Sequence, residues 1–95
     1  IVFGPLLVRL DRHEAYVKGE ELKLTPTEFA FLRALARHAG KIVTQRQILR
    51  EVWGPQAEEQ THYLRVYANF LRKKLGKHLL VRNEPGIGYR LVEPI

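Results

Sequence analysis

The sequence predicts a small α+β domain in which short strands come first, three helices follow and a β-hairpin closes the chain. Three observations predict it. β-rich segments separated by turn-like residues occupy the first quarter of the chain. Two helix-start signals, Thr25-Pro26-Thr27-Glu28 and Thr44-Gln45-Arg46-Gln47, each stand ahead of an apolar stripe. A basic amphipathic segment, residues 61–75, precedes two strand-like runs joined at Asn83-Glu84-Pro85-Gly86. At 95 residues the chain supports one domain and one modest core.

Residues 6–10, 14–17 and 21–24 alternate or are β-rich, and Asp11-Arg12-His13 and Lys18-Gly19-Glu20 between them are turn-like. They form a small antiparallel meander, with Ile1–Phe3 as a candidate further strand. Thr25 caps the first helix, Pro26 fits its first position and Glu28 completes a capping box. Phe29, Leu32, Leu35 and Ala36 follow at helical spacing, and Gly40 is placed to end the helix. Thr44 to Gln47 give a second capping box, opening a short helix with Ile48, Leu49 and Val52 inward and stopped by Trp53-Gly54-Pro55. Residues 54–60 are a polar connection. The third helix runs over 61–75 and Gly76 terminates it, with strands at 79–82 and 88–92. Three helices followed by a C-terminal hairpin make a winged helix-turn-helix.

The composition, 45% hydrophobic and 27% charged, is ordinary for a globular chain. No apolar run approaches the ~18 residues that a membrane span needs. The absence of cysteine excludes a disulfide framework, thiolate metal sites and thiol catalysis, and is compatible with a cytoplasmic setting. His13, His38, His62 and His78 are scattered without metal-ligand spacing, no Ser/His/Asp arrangement or phosphate-cradling glycine loop occurs, and neither an enzyme nor a cofactor is expected. The net charge of +6 is unevenly placed: residues 1–60 hold nine Lys/Arg against eight Asp/Glu, and residues 61–95 hold seven against two. That concentration suits a localised polyanion-binding surface.

At about 100° per residue, Leu64, Ala68, Leu71 and Leu75 share one seam of the third helix. His62, Val66, Asn69 and Lys73 fall opposite, flanked by Arg65 and Arg72 on one edge and Tyr63 and Phe70 on the other. The outward face is cationic and lacks a carboxylate. Arginine can bond guanine, asparagine can bond adenine, and Val or Phe can touch a thymine methyl in the major groove. Arg72, Lys73 and Lys74 are better placed for phosphates. Two bland readings compete: a solvated basic surface, and a winged helix used for protein–protein contact, which calls for an apolar or mixed-charge face.

Five ordered motifs resemble the output domain of OmpR/PhoB-type two-component response regulators. They are Leu24-Thr25-Pro26-Thr27-Glu28-Phe29, Gly40 to Leu49 (GKIVTQRQIL), Val52-Trp53-Gly54, Leu71-Arg72-Lys73-Lys74-Leu75 and Gly86-Ile87-Gly88-Tyr89-Arg90. Val52 to Pro55, His62 to Arg65 and the Gly-Ile-Gly-Tyr-Arg ending are similar to the KdpE-like branch, which controls potassium-uptake genes.

The resemblance implies an N-terminal four-stranded sheet, a recognition helix at 61–75 and a wing at 79–92 that reaches the backbone and minor groove. His62, Arg65, Val66, Asn69 and Phe70 take base-facing slots. Thr44, Gln45, Arg46, Trp53, Tyr63, Arg72, Lys73, Arg82, Asn83 and Arg90 take backbone slots, with Trp53 equally a core element. Pro55, Gln56, Ala57, Glu58 and Glu59 lie in the connection that such domains turn toward RNA polymerase. Also implied are tandem direct-repeat half-sites in double-stranded DNA, a dimer on DNA from a free monomer, and a histidine kinase acting through a receiver domain absent from these residues, so that the chain is expected to be a fragment. Two departures stand out: Asn69 and Phe70 occupy positions where several relatives carry arginine, and Glu84-Pro85 replaces basic or small residues at the wing tip.

Overall fold

The computed structural model describes residues 1–94. Four strands, β1 (Val2–Phe3), β2 (Leu6–Arg9), β3 (Glu14–Val17) and β4 (Glu20–Glu21), form an antiparallel sheet in sequential order. Period-two alternation turns Leu6, Val8, Ala15 and Val17 into the core and leaves Leu7 and Arg9 outside. Of the third expected segment, 21–24, only Glu21 is strand, within β4; Leu22 still donates its N–H to Ala15 O at 2.8 Å before the chain turns into the first helix.

Helix α1 (Pro26–Ala36) begins with the full capping box: Thr25 Oγ1 accepts from the Glu28 N–H at 3.2 Å, and Glu28 Oε1 accepts from the Thr25 N–H at 2.9 Å. Its buried face includes Phe31, which is fully buried and which the apolar stripe drawn from sequence omits. The helix ends at Ala36, four residues before Gly40. Gly40, at φ +82°, instead turns the chain into a short strand, β5 (Ile42–Thr44), and donates its N–H to Leu91 O at 2.8 Å. No local signal marks β5, a three-residue strand whose sheet partner, β7, lies more than forty residues on.

Helix α2 (Gln45–Trp53) starts immediately. Here the expected capping box is only half formed. Thr44 Oγ1 accepts from the Gln47 N–H at 3.2 Å, but the Gln47 amide turns to His38 Nε2 and Glu51. Thr44 is paired with Gly88 in the sheet, and no reciprocal bond runs from its N–H to the Gln47 side chain. A 3-10 turn (Pro55–Ala57) follows, then α3 (His62–Leu75), ended by Gly76 at φ +62°. The wing strands β6 (Leu80–Glu84) and β7 (Gly88–Val92) complete a second sheet in the order β5-β7-β6. The hairpin turn lies one residue later than expected, with Ile87 N–H bonded to Glu84 O and Gly86 at φ +74°, the Pro-Gly pattern of a type II turn.

One core joins both sheets to the three helices through Phe31, Leu32, Leu35, Ile48, Leu49, Leu64, Leu71, Leu79 and Leu91. Because β7 lies between β5 and β6, the wing is bound to the segment that opens α2. A Cβ at Gly88 would overlap the Val43 carbonyl oxygen, so this close strand approach requires glycine.

Candidate nucleic-acid interface

Helix α3 buries Leu64, Ala68, Leu71 and Leu75, each 1% exposed or less, which fixes its rotation in the fold. His62, Arg65, Val66, Asn69, Phe70 and Lys73 are consequently all exposed. Among the described residues no ion pair engages Arg65 or Lys73, so both charges face solvent unanswered. Val66 and Phe70 stand 47% and 42% exposed on this face. Such exposure of large apolar groups beside bare cations is poorly explained by solubility alone.

The wing stands beside the first half of α3. A groove of about 660 Å³ runs between them, lined by Gln45, His62, Arg65, Val66, Asn83 and Pro85 among others. It brings together base-facing and backbone candidates that lie some twenty residues apart in sequence. Glu84, the acid at the wing tip, does not spoil this surface. Its carboxylate accepts from Arg90 NH2 at 2.7 Å and lies 4.0 Å from Arg82 NH2, and the Arg90 bond foremost holds it below the usual carboxylate range. Arg90 is thereby occupied inside the wing, while Arg82 and Asn83 remain exposed.

At the start of α2, Gln45 N–H donates to Ile87 O at 3.0 Å and Gln47 N–H to Thr44 Oγ1, so two of the helix-opening amides are already bonded. Arg46 extends into solvent, with Nε 3.4 Å from Glu58.

Trp53 is half-buried. Its ring lies 5.1 Å from Tyr63 and 5.3 Å from Tyr67, Tyr67 meets Phe70 edge-on at 5.5 Å, and His62 touches Tyr63 at 4.4 Å. One edge of α3 is therefore a continuous aromatic strip joining four sequence candidates through Tyr67. Tyr67 was not singled out from sequence, although its position four residues after Tyr63 is the available signal.

The fold gives several of these candidates partners or surroundings of their own. Lys74, grouped with the phosphate-facing cations, turns the other way: its Nζ donates to Glu28 Oε1 at 2.6 Å and to Lys23 O at 2.7 Å. Ala57, placed in the outward connection, is buried at 5% exposure because the 3-10 turn folds it inward. Glu58 in the same stretch pairs with Arg46 and Arg50, leaving Pro55, Gln56 and Glu59 as its exposed members. Arg72 also has internal bonds, from Nε to Val81 O at 3.0 Å and from NH1 to Asn69 Oδ1 at 2.8 Å. The residues alone do not reveal these partners, which come from elements distant in sequence, except that Asn69 and Arg72 stand three apart on one helix.

Among the described residues no group of His, Cys, Asp or Glu could hold a metal ion, and no helix is long and apolar enough to cross a membrane.

A three-helix core carrying a wing, with an acid-free outward helix beside it, defines a winged-helix domain of the DNA-binding class. The model of the family described as "Transcriptional regulatory protein, C terminal" matches residues 19–91, and the chain belongs to this OmpR/PhoB-type family of response-regulator output domains. It is 43% identical over 98 residues to the KDP operon transcriptional regulatory protein KdpE of Escherichia coli (strain K12), covering 97% of this chain and 43% of that protein. It is 51% identical over 78 residues to KdpE of Mycobacterium tuberculosis (strain H37Rv), covering 76% and 34%. The chain thus spans less than half the length of these regulators. Among solved structures, the DNA binding domain of CpxR from E. coli superposes with a TM-score of 0.87 at 30% identity, covering 100% of this chain and 97% of that one. The DNA-binding domain of Klebsiella pneumoniae RstA in complex with the RstA box gives 0.83 at 26% identity, covering 97% and 95%.

Proposed function

We propose that this chain binds double-stranded DNA sequence-specifically, as the output domain of a two-component transcriptional regulator. Helix α3 lies in the major groove, and the wing tracks the backbone and adjacent minor groove. The observation that carries this reading is the rotation of α3: its leucines are buried, and its exposed face offers Arg65, Asn69, Lys73 and His62 with no carboxylate. His62, Arg65, Val66, Asn69 and Phe70 meet base edges. Lys73, Arg46, Tyr63, Arg82, Asn83 and the half-buried Trp53 serve the phosphates, with Thr44 and Gln45 shaping the start of α2. Arg90 acts indirectly by stiffening the wing through Glu84.

The exposed residues Pro55, Gln56 and Glu59 face RNA polymerase. A receiver domain in the intact regulator, acted on by a histidine kinase, pairs two output domains on direct-repeat half-sites, and the single winged domain is monomeric when free. The similarity to KdpE supports control of potassium-uptake genes, and a regulator of this kind works in the cytoplasm.

The test is a binding titration with fluorescent duplexes at several salt concentrations. With about four to six phosphate contacts, affinity should fall by roughly two to three decades between 50 and 200 mM salt. A complex insensitive to salt, or no complex at low salt, would contradict the reading.

A further inference from the structure

Arg72 lies between the recognition helix and the wing, and its guanidinium is held at two points. Nε donates to the carbonyl of Val81, a buried residue of β6, at 3.0 Å, and NH1 donates to Asn69 Oδ1 at 2.8 Å. The guanidinium is a rigid planar fork, so anchoring Nε on the wing also fixes where NH1 points. Asn69 is itself exposed on the outward face of α3. Its amide has two ends of opposite character, an acceptor oxygen and a donor NH2. Reversing that amide would set Nδ2–H against the NH1–H of Arg72, donor against donor. The arginine therefore decides which end of Asn69 is free.

We propose that Arg72 is a positioning residue that presents Asn69 to DNA as a hydrogen-bond donor, selecting an acceptor on the base edge. The major groove offers such acceptors at purine N7, guanine O6 and thymine O4. An unconstrained asparagine would turn either end outward. The wing thus takes part in base selection without touching the base, because β6 sets the arginine and the arginine sets the amide. This inference rests on the DNA-binding reading of α3.

The experiment measures binding of the chain to its selected site and to duplexes carrying every alternative base pair at each position. Wild type is compared with Asn69→Ala, Arg72→Lys and Asn69→Asp, with thermal melting confirming that each variant is folded. Arg72→Lys keeps the charge but cannot reproduce the fork. It should lower discrimination at one position by about fivefold or more, at the same position as Asn69→Ala, and add little when combined with it. Asn69→Asp keeps the contact to Arg72 while replacing the donor by an acceptor. It should move the preference at that position toward cytosine or adenine, whose amino groups donate.

A uniform loss on all sequences for Arg72→Lys, additive with Asn69→Ala, would identify a phosphate clamp and overturn the proposal. An Asn69→Asp variant with unchanged base preference would also overturn it. A wild-type chain without preference at any position would overturn the DNA reading first, and the base-donating role with it. The positioning contact has its own readout in the free chain. Arg72→Lys should shift the side-chain amide resonances of Asn69 well beyond those of Asn83, and equal small shifts at both would remove the contact.

Discussion

Lys74 Nζ lies 2.6 Å from Glu28 Oε1, tying the last turn of α3 to the first turn of α1. The same carboxylate completes the α1 capping box, so one buried acid serves both a helix end and the placement of the recognition helix. Removing the ammonium leaves Glu28, at 5% exposure, without its cationic partner. Lys74→Ala should cost about 1–3 kcal/mol in urea denaturation. Its effect on DNA affinity should be smaller than that of Lys73→Ala, because the Lys74 ammonium is already engaged by Glu28 and the Lys23 carbonyl.

Acid should act through the same pair. Burial pushes the Glu28 carboxyl up, but the Lys74 bond and the Thr25 contacts together outweigh it and hold the net value below the ordinary 4.5. A depressed carboxylate contributes stability that is complete above its unfolded value and is lost as pH falls through the folded one. Stability should therefore decline below about pH 4.5, and Lys74→Ala should flatten that decline in melting curves recorded across the acid range. An unchanged acid slope would show that other carboxylates govern it.

Gly88 offers a second test of how the wing is positioned. Its added methyl group in Gly88→Ala would meet the Val43 carbonyl, forcing β5 and β7 apart. The expected cost is about 1–3 kcal/mol, with a loss of DNA affinity at temperatures where the chain is still folded. Full affinity in a folded Gly88→Ala variant would mean that wing placement matters little.

Arg65 and Lys73 separate recognition from attachment. Arg65→Ala should cost on the order of 1–3 kcal/mol on the preferred site and relax selection at one base pair. Lys73→Ala should weaken all duplexes about equally and reduce the salt slope by about one. Competition binding against a panel of single-base variants distinguishes the two, and identical sequence-blind losses would erase the distinction.

Gln56 and Glu59 are exposed on the α2–α3 connection, away from the carboxylate pairing of Glu58. Substituting Glu59 with alanine in the intact regulator should leave DNA affinity within about twofold, as isolated surface changes usually do; Gln56 is kept because its Nε2 donates to Trp53 O at 2.9 Å. Promoter output in a reconstituted transcription assay should fall. A parallel loss of DNA binding would remove the polymerase-facing role.

Much of this architecture was legible because local signals agreed with tertiary packing. The Thr25 capping box and the leucine seam of α3 are written in residues three and four apart, and both appear as expected. Elements that depend on remote partners were not legible. Strand β5 exists because β7 pairs with it, and the second capping box is half formed because the Gln47 amide reaches His38 and Glu51 instead. Side-chain direction shows the same divide. Helical phase correctly exposed Arg65, Asn69 and Lys73, yet it could not reveal that Lys74 reaches Glu28 or that Arg72 reaches Val81. Charge alone does not distinguish a cation free for phosphate from one already bonded within the fold.

The most direct test of the central claim is selection from a random duplex library at near-physiological salt. Enrichment of one short motif, recurring as direct-repeat half-sites and lost with Arg65→Ala, is the result expected of an acid-free helix facing paired bases. A library that stays random through repeated rounds, or one whose enriched motif is unaffected by Arg65→Ala, would contradict it.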